Sequence, residues 1–282
     1  MEDIQFKRNL FGGDILILVY NTDRKIAEDI LSETYEEALR LQRIFNFYDK
    51  GSELSKLNQK RRLKVSEDLL KIIKKALEIS NLTDSKYDIT LGKQILQRKN
   101  GEEITPLNCS HKDISINGNE IILNHPDVLI DLGSIAKGYI TDRIAEFLGE
   151  KGIEEFFIDS RGDIFVSGEN PKIIGIQHPR DKDNLLGSIK IVNNAVATSG
   201  DYNQYSGSFD KSHILNQNNA VSITVVAPTL QEADVYATAL FVCNENEREK
   251  LIKDNKGIKV LIVKDDLTKI TYNGFDEVLY ER

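Results

Sequence analysis

The chain has no tryptophan, one methionine, two cysteines, five prolines and four histidines among its 282 residues. Each scarcity removes a class of explanation. Cys109 and Cys243 stand alone, without metal-site spacing or the density of a disulfide scaffold, so they read as buried free thiols. His111, His125, His178 and His213 are scattered, with no His-x-x-x-His pair. There is no G-x-S-x-G elbow, Walker loop or G-x-G-x-x-G fingerprint. No apolar run approaches the ~20 residues of a membrane-spanning helix. No long Lys/Arg run occurs, and a formal net charge of -8 argues against a general nucleic-acid binder. The first residues lack the basic start and apolar centre of a secretory signal. A cytoplasmic protein is therefore expected, the alternative being an exported or membrane-anchored lipoprotein whose signal segment is absent from this sequence.

What remains is ordinary globular material, 40% hydrophobic and 29% charged, enough to bury a sizeable core. Residues 14–20 read as an apolar strand. Lys25 to Phe45 carries Ile26, Ile30, Leu31, Ala38, Leu41 and Phe45 at helical intervals. Ser66 is placed to cap a second helix running to about Leu82. From Ile114 the period changes to two, and Ile114–Ile116, Asn117-Gly118 and Ile121–Leu123 predict a hairpin. Short strands follow around 156–158, 164–166, 173–177, 188–192, 195–198 and 222–227, then a helix over 230–243, a helix near 247–253 and a strand over 258–263. With no linker and no strong repeat, long helices alternating with hairpin-like strands predict an α+β fold with mixed, mostly antiparallel sheet.

Three stretches carry chemistry. In Asp131-Leu-Gly-Ser-Ile-Ala-Lys137, the apolar run 128–130 is expected as a strand that turns through Gly133 and Ser134 into an amphipathic helix. A helix start attracts anions, and a first-turn lysine is out of place there unless it has an anion to meet. A phosphate seat and a plain βα connection fit that local pattern equally well. After Pro228, Thr229 and Glu232 form a capping box by pattern. Asp234 and Thr238 follow one turn apart on a single face. Two such oxygens suit Mg²⁺, although a dipole-satisfying aspartate and a back-bonding threonine explain them too. Third, Ala195 to Tyr205 places small residues, Ser199-Gly200 and two tyrosines where a strand end can approach a ligand. Beyond it His213 has the side chain best suited to proton transfer near neutral pH.

Taken together, DLGSIAKGYITDR (131–143), AVATSGDYNQY (195–205) and APTLQEADVYATALFV (227–242) resemble, in order, the ApbE family of FAD:protein FMN transferases. FNFYDKGSELSKLN (45–58), KYDITLG (86–92), IGIQHP (174–179) and SHIL (212–215) agree with the family's corresponding segments. The resemblance runs from about Phe11 to Phe241. It departs at Phe11-Gly12-Gly13, where the family has Met-Gly-Thr, at Arg161-Gly162-Asp163-Ile164 for Gly-Gly-Asp-Ile, and at Asn216-Gln217 for Asp-Pro. The first and last departures predict altered FAD affinity or turnover.

The resemblance implies one ApbE-like, T-fold-related unit over residues 1–282, with two intimate lobes and FAD in the cleft between them. It implies that Asp234, Thr238 and the carbonyl of Ser134 hold Mg²⁺. It likewise implies that Tyr48, Lys86, Tyr87, Asp88, Asp131, Lys137 and Ile214 line the FAD site, and that His213 assists proton transfer. The expected activity is Mg²⁺-dependent transfer of FMN from FAD to a Ser/Thr hydroxyl of an acceptor protein, releasing AMP. Family acceptors resemble Asp-x-x-Ser/Thr-Gly-Ala-Ser/Thr. No such segment occurs here, which argues against self-flavinylation. An FAD pyrophosphatase releasing FMN and AMP, and a non-catalytic FAD-binding protein, are the rival expectations.

Overall fold

The computed structural model describes residues 2–201 and 220–280. Its largest element is an eight-stranded sheet. The strands are β1 (Glu2–Leu10), β2 (Gly13–Thr22), β6 (Phe156–Ser160), β7 (Asp163–Ser167), β10 (Asn194–Gly200), β11 (Ala220–Ala227), β12 (Lys259–Lys264) and β13 (Lys269–Tyr272), in that spatial order. Every neighbouring pair is antiparallel. A three-stranded sheet of β3 (Arg62–Lys64), β5 (Glu120–Leu123) and β4 (Ile114–Asn117), and a hairpin of β8 (Lys172–Gln177) and β9 (Leu185–Ile191), complete the β-structure of the described residues. The α+β class and antiparallel bias follow the sequence pattern.

Period-two alternation divides the apolar side chains between the two faces of the large sheet. Ile15, Ile17, Val19, Ile158, Ile223, Val225, Val260 and Ile262 enter the main core. Helices α1 (Arg24–Phe45), α3 (Glu67–Leu82), α5 (Ala136–Glu150) and α6 (Leu230–Val242) contribute to that same core. On the opposite face, Val166, Val196, Val226, Leu261 and Val263 pack against Ile174, Ile176 and Ile189 of the β8–β9 hairpin and against Phe275. Burying this many branched side chains is the main source of stability, at about 1.5–3 kcal/mol for each fully buried one.

Helix boundaries follow their caps. Asp23 accepts the amides of Lys25 at 3.0 Å and Ile26 at 3.2 Å to start α1. Its buried Ala27, Leu31, Thr34, Ala38, Leu41 and Phe45 keep the helical spacing. Ser66 caps α3 by accepting from Leu69 N, and is itself fixed by Glu53 of α2 (Glu53–Lys60), which takes the Ser66 amide at 2.6 Å.

The structure corrects two expectations and adds elements that the sequence did not suggest. Residues 128–130 do not form a strand; Leu129 makes a single parallel bridge to Leu91. The β4–β5 register pairs Asn117 with Glu120, so the turn is Gly118-Asn119, with Gly118 at φ 61°. Edge strand β1 was not predicted, because Glu2, Asp3, Lys7 and Arg8 interrupt its buried Ile4, Phe6 and Leu10. Helix α4 (Gly92–Asn100) was not predicted either: only Gly92 is buried, so it has no apolar stripe to read. A Cβ at Gly92 would lie 2.5 Å from the Leu129 carbonyl, which fixes glycine at that bridge.

Candidate active site

The site forms where the start of α5, the start of α6 and the ends of β7 and β10 converge. The loop into α5 is pinned from α2: Asn58 donates to the Ile130 carbonyl and accepts its amide, both at 2.8 Å. Asp131 accepts the Gly133 amide at 2.9 Å. No side chain caps α5. Instead Ile135 N and Ala136 N donate to the Leu132 carbonyl at 3.1 and 2.8 Å, and Gly138 N donates to Asp234 Oδ2 at 3.1 Å. The amides at 135, 136 and 138 are thus spent within the protein rather than left open for a phosphate.

Gly138 lets α5 and α6 touch. A Cβ there would stand 2.6 Å from Gln231 Cα and from the Leu230 carbonyl. The Thr229–Glu232 capping box forms by half, with Thr229 Oγ1 accepting Glu232 N at 3.3 Å. The rest of the capping comes from α5. Asp142 accepts Leu230 N at 2.7 Å and Gln231 N at 2.8 Å, and burial pushes its carboxyl up to about 7. A helix start satisfied by a carboxylate from a neighbouring helix fixes the two elements as a unit.

That unit presents the charged cluster. The anion that Lys137 meets is Asp163: its ammonium donates to Asp163 Oδ2 and lies 3.9 Å from Asp234 Oδ1. Asp234 is 7% exposed, and burial drives its carboxyl above the usual carboxylate range, with Lys137 and the Gly138 amide pulling the other way. One turn on, Thr238 Oγ1 lies 3.1 Å from Ser199 Oγ. Among the described residues no group of three His, Cys, Asp or Glu is arranged to hold a metal. With Asp163 engaged by Lys137, the side-chain oxygens left to a cation here are those of Asp234 and Thr238.

The opposite wall is better satisfied. Asp88, its side chain 4% exposed, accepts Thr90 N at 2.9 Å, Thr90 Oγ1 at 2.7 Å and His111 N at 2.8 Å. Tyr87 is buried and shares a 2.8 Å hydrogen bond with Ser134 Oγ; burial holds its phenol well above the ordinary range. Tyr48 is 56% exposed, stands edge-on to Phe47, and carries the Lys99 ammonium 3.6 Å from its ring centre. Lys86 reaches Glu247 at 3.9 Å.

All of these residues line one cavity of about 1350 Å³: Tyr48, Lys86, Tyr87, Asp88, Asp131, Ser134, Lys137, Asp234 and Thr238. Ordinary ligand clefts span ~300–1000 Å³, so there is room for an extended, two-part ligand. His213 and Ile214 lie outside the described residues. Among the lining residues that had no role assigned from sequence are Asp163 and Lys99. Asp163 had a signal, since a first-turn lysine needs an acid and Arg161-Gly162-Asp163 closes a strand pair. Lys99 had none, because α4 itself was unread.

The fold that builds this cleft is that of the flavin transferases. The structure is similar to the flavin transferase ApbE of Vibrio cholerae, with a TM-score of 0.86 and 26% identity over 99% of each chain. It is also similar to the ApbE protein of Thermotoga maritima, with a TM-score of 0.83 and 25% identity, covering 99% of this chain and 100% of that one. In sequence it is 31% identical over 260 residues to a FAD:protein FMN transferase of Vibrio cholerae, covering 82% of this chain and 76% of the relative. The corresponding enzyme of Escherichia coli is 28% identical, covering 78% of this chain and 72% of that relative. A model of the ApbE family matches residues 11–262. The chain belongs to the ApbE family.

Proposed function

We propose that this protein is an FAD:protein FMN transferase that moves FMN from FAD to a Ser/Thr hydroxyl of an acceptor protein and releases AMP. The observation that carries the proposal is the cluster at the cleft: Asp234, buried and with a single hydrogen bond among the described residues, beside Lys137, Asp163 and Thr238. A buried carboxylate left short of donors is costly, and a cation is its natural complement. The hard oxygens of Asp234 and Thr238, with the Ser134 carbonyl, fit Mg²⁺, which keeps most of its shell for water and substrate phosphates. When bound, Mg²⁺ neutralises charge on the pyrophosphate.

The chain's own residues do the positioning. Lys137, held by Asp163, supplies a fixed cation for a pyrophosphate oxygen. Tyr48 offers an exposed aromatic face for the flavin rings, and Tyr87 with Ser134 fixes the loop over which the phosphates lie. In the reaction the acceptor oxygen bonds to the FMN-side phosphorus and the bridging P–O bond to AMP breaks. The hydroxyl proton goes to a base, for which His213 is proposed. Most of the acceleration comes from charge stabilisation and in-line placement.

Incubation with FAD, Mg²⁺ and an acceptor peptide, followed by mass spectrometry, tests the assignment. An FMN adduct on the peptide with free AMP is the expected result. Free FMN with AMP makes the protein a pyrophosphatase, and intact FAD makes it a binder.

A further inference from the structure

A protein-modifying enzyme has to bring a polypeptide to its cleft, and strand β8 offers a place to do so. On the far side of β9, the Ser188 carbonyl accepts Tyr280 N at 2.8 Å, and Ile189 bridges Leu279. Ser188 therefore turns its backbone polar groups away from β8. In an antiparallel ladder its partner Gly175 then belongs to a non-hydrogen-bonded pair, as does Ile173 opposite Lys190. The N–H and C=O groups of Ile173 and Gly175 face outward, and β8 has no strand partner but β9 among the described residues.

This edge differs from that of β1. Lys7 and Arg8 stand on β1, the usual protection of an open edge by charge. From Ile173 to Gln177, β8 has none. Ile173 is 50% exposed, and Leu185, 59% exposed, lies over Gly175, where an added Cβ would meet its Cδ1 at 2.8 Å. Beside the edge, on the face of the large sheet that carries the hairpin, Leu16, Leu18 and Phe157 are only partly buried, with Phe157 packed against the hairpin's cluster. Lys172 Nζ, 3.6 Å from the ring centre of Tyr20, marks where β8 passes that face. The inner end of the same edge, Ile174 to Gln177, lines the cleft.

We propose that the acceptor polypeptide binds as an added strand on the open edge of β8, which aims its reactive hydroxyl into the cleft. Backbone pairing supplies affinity with little demand on sequence, while Ile173, Leu185 and the Leu16–Leu18–Phe157 strip receive alternate side chains. The proposal rests on the transferase assignment, and its test separates the two.

A synthetic acceptor peptide carrying Asp-x-x-Ser-Gly-Ala-Thr is N-methylated at one backbone nitrogen at a time, and its KM for FMN transfer is measured. Methylation at every second residue upstream of the acceptor hydroxyl raises KM about tenfold, the worth of one lost hydrogen bond, and the intervening positions stay near the parent. On the protein, Ile173→Pro removes an outward N–H that β9 does not use, a substitution edge strands tolerate. It raises the peptide KM about tenfold over Ile173→Ala, and the FAD dissociation constant stays unchanged in both. Transfer by the parent with uniform tolerance of N-methylation overturns strand addition alone. No transfer to the unmethylated peptide overturns the transferase assignment and strand addition with it.

Discussion

Two aspartates on opposite walls of the cleft have side chains 4% and 9% exposed, Asp88 and Asp234, yet opposite surroundings. Asp88 accepts hydrogen bonds from Thr90 N, Thr90 Oγ1 and His111 N. Among the described residues Asp234 accepts one, from Gly138 N, and has the Lys137 ammonium at 3.9 Å. A carboxylate with several well-placed donors has its desolvation offset and serves to hold a loop. A carboxylate with one donor and a raised proton affinity is a cost to the fold, borne where a charged guest offsets it. By this contrast we propose that Asp234 is the carboxylate that meets a charged guest, while Asp88, which also lines the cleft, holds its loop.

The largest expected effect falls on Asp234. Asp234→Asn keeps shape and the bond to Gly138 N yet removes the charge, so FMN transfer drops by at least about a hundredfold. Steady-state kinetics at fixed Mg²⁺ check this. His213→Asn should lower single-turnover transfer by ~10²–10⁴-fold while FAD binding persists, if the histidine is the base. A parent-like rate removes it from the mechanism.

Asp88→Asn reverses the pattern. The amide nitrogen would face the His111 N–H, setting donor against donor at a cost of ~1–3 kcal/mol. The melting temperature falls while transfer at saturating FAD persists. Lost transfer at an unchanged melting temperature would erase the contrast with Asp234. The smallest effect belongs to Asp142. Folded, its carboxyl keeps a proton up to about 7, against an ordinary value of 3.8. The folded state thus binds more protons between those values, and stability falls as pH rises through that window. Asp142→Asn should flatten this slope, as melts at pH values across the window would show.

How much of this the sequence held depends on how local each signal is. The helical spacing from Lys25 to Phe45, the Ser66 cap and the alternating runs after Ile114 all survive in the structure, because each is decided within a few residues. The Asp234–Thr238 pair was legible for the same reason, lying one turn apart. Its buried, under-partnered state was not, since that depends on Gly138, Lys137 and Asp163 from other elements. Asp142 shows the same limit: the pattern Thr229-x-x-Glu232 pointed to a local cap, while the donors at Leu230 and Gln231 went to another helix. The anion for Lys137 was anticipated, but its identity as Asp163 needed the fold.

The most direct test of the contrast is the Mg²⁺ dependence of thermal stability, measured with FAD present, for the parent and Asp234→Asn. A cation bound at 100 times its dissociation constant adds about 2.7 kcal/mol. The account predicts that the parent's melting temperature climbs with Mg²⁺. It predicts that Asp234→Asn melts at or above the parent without Mg²⁺, having lost a poorly partnered buried charge, and shows no climb. An equal rise with Mg²⁺ in both proteins would contradict it and place the cation away from Asp234.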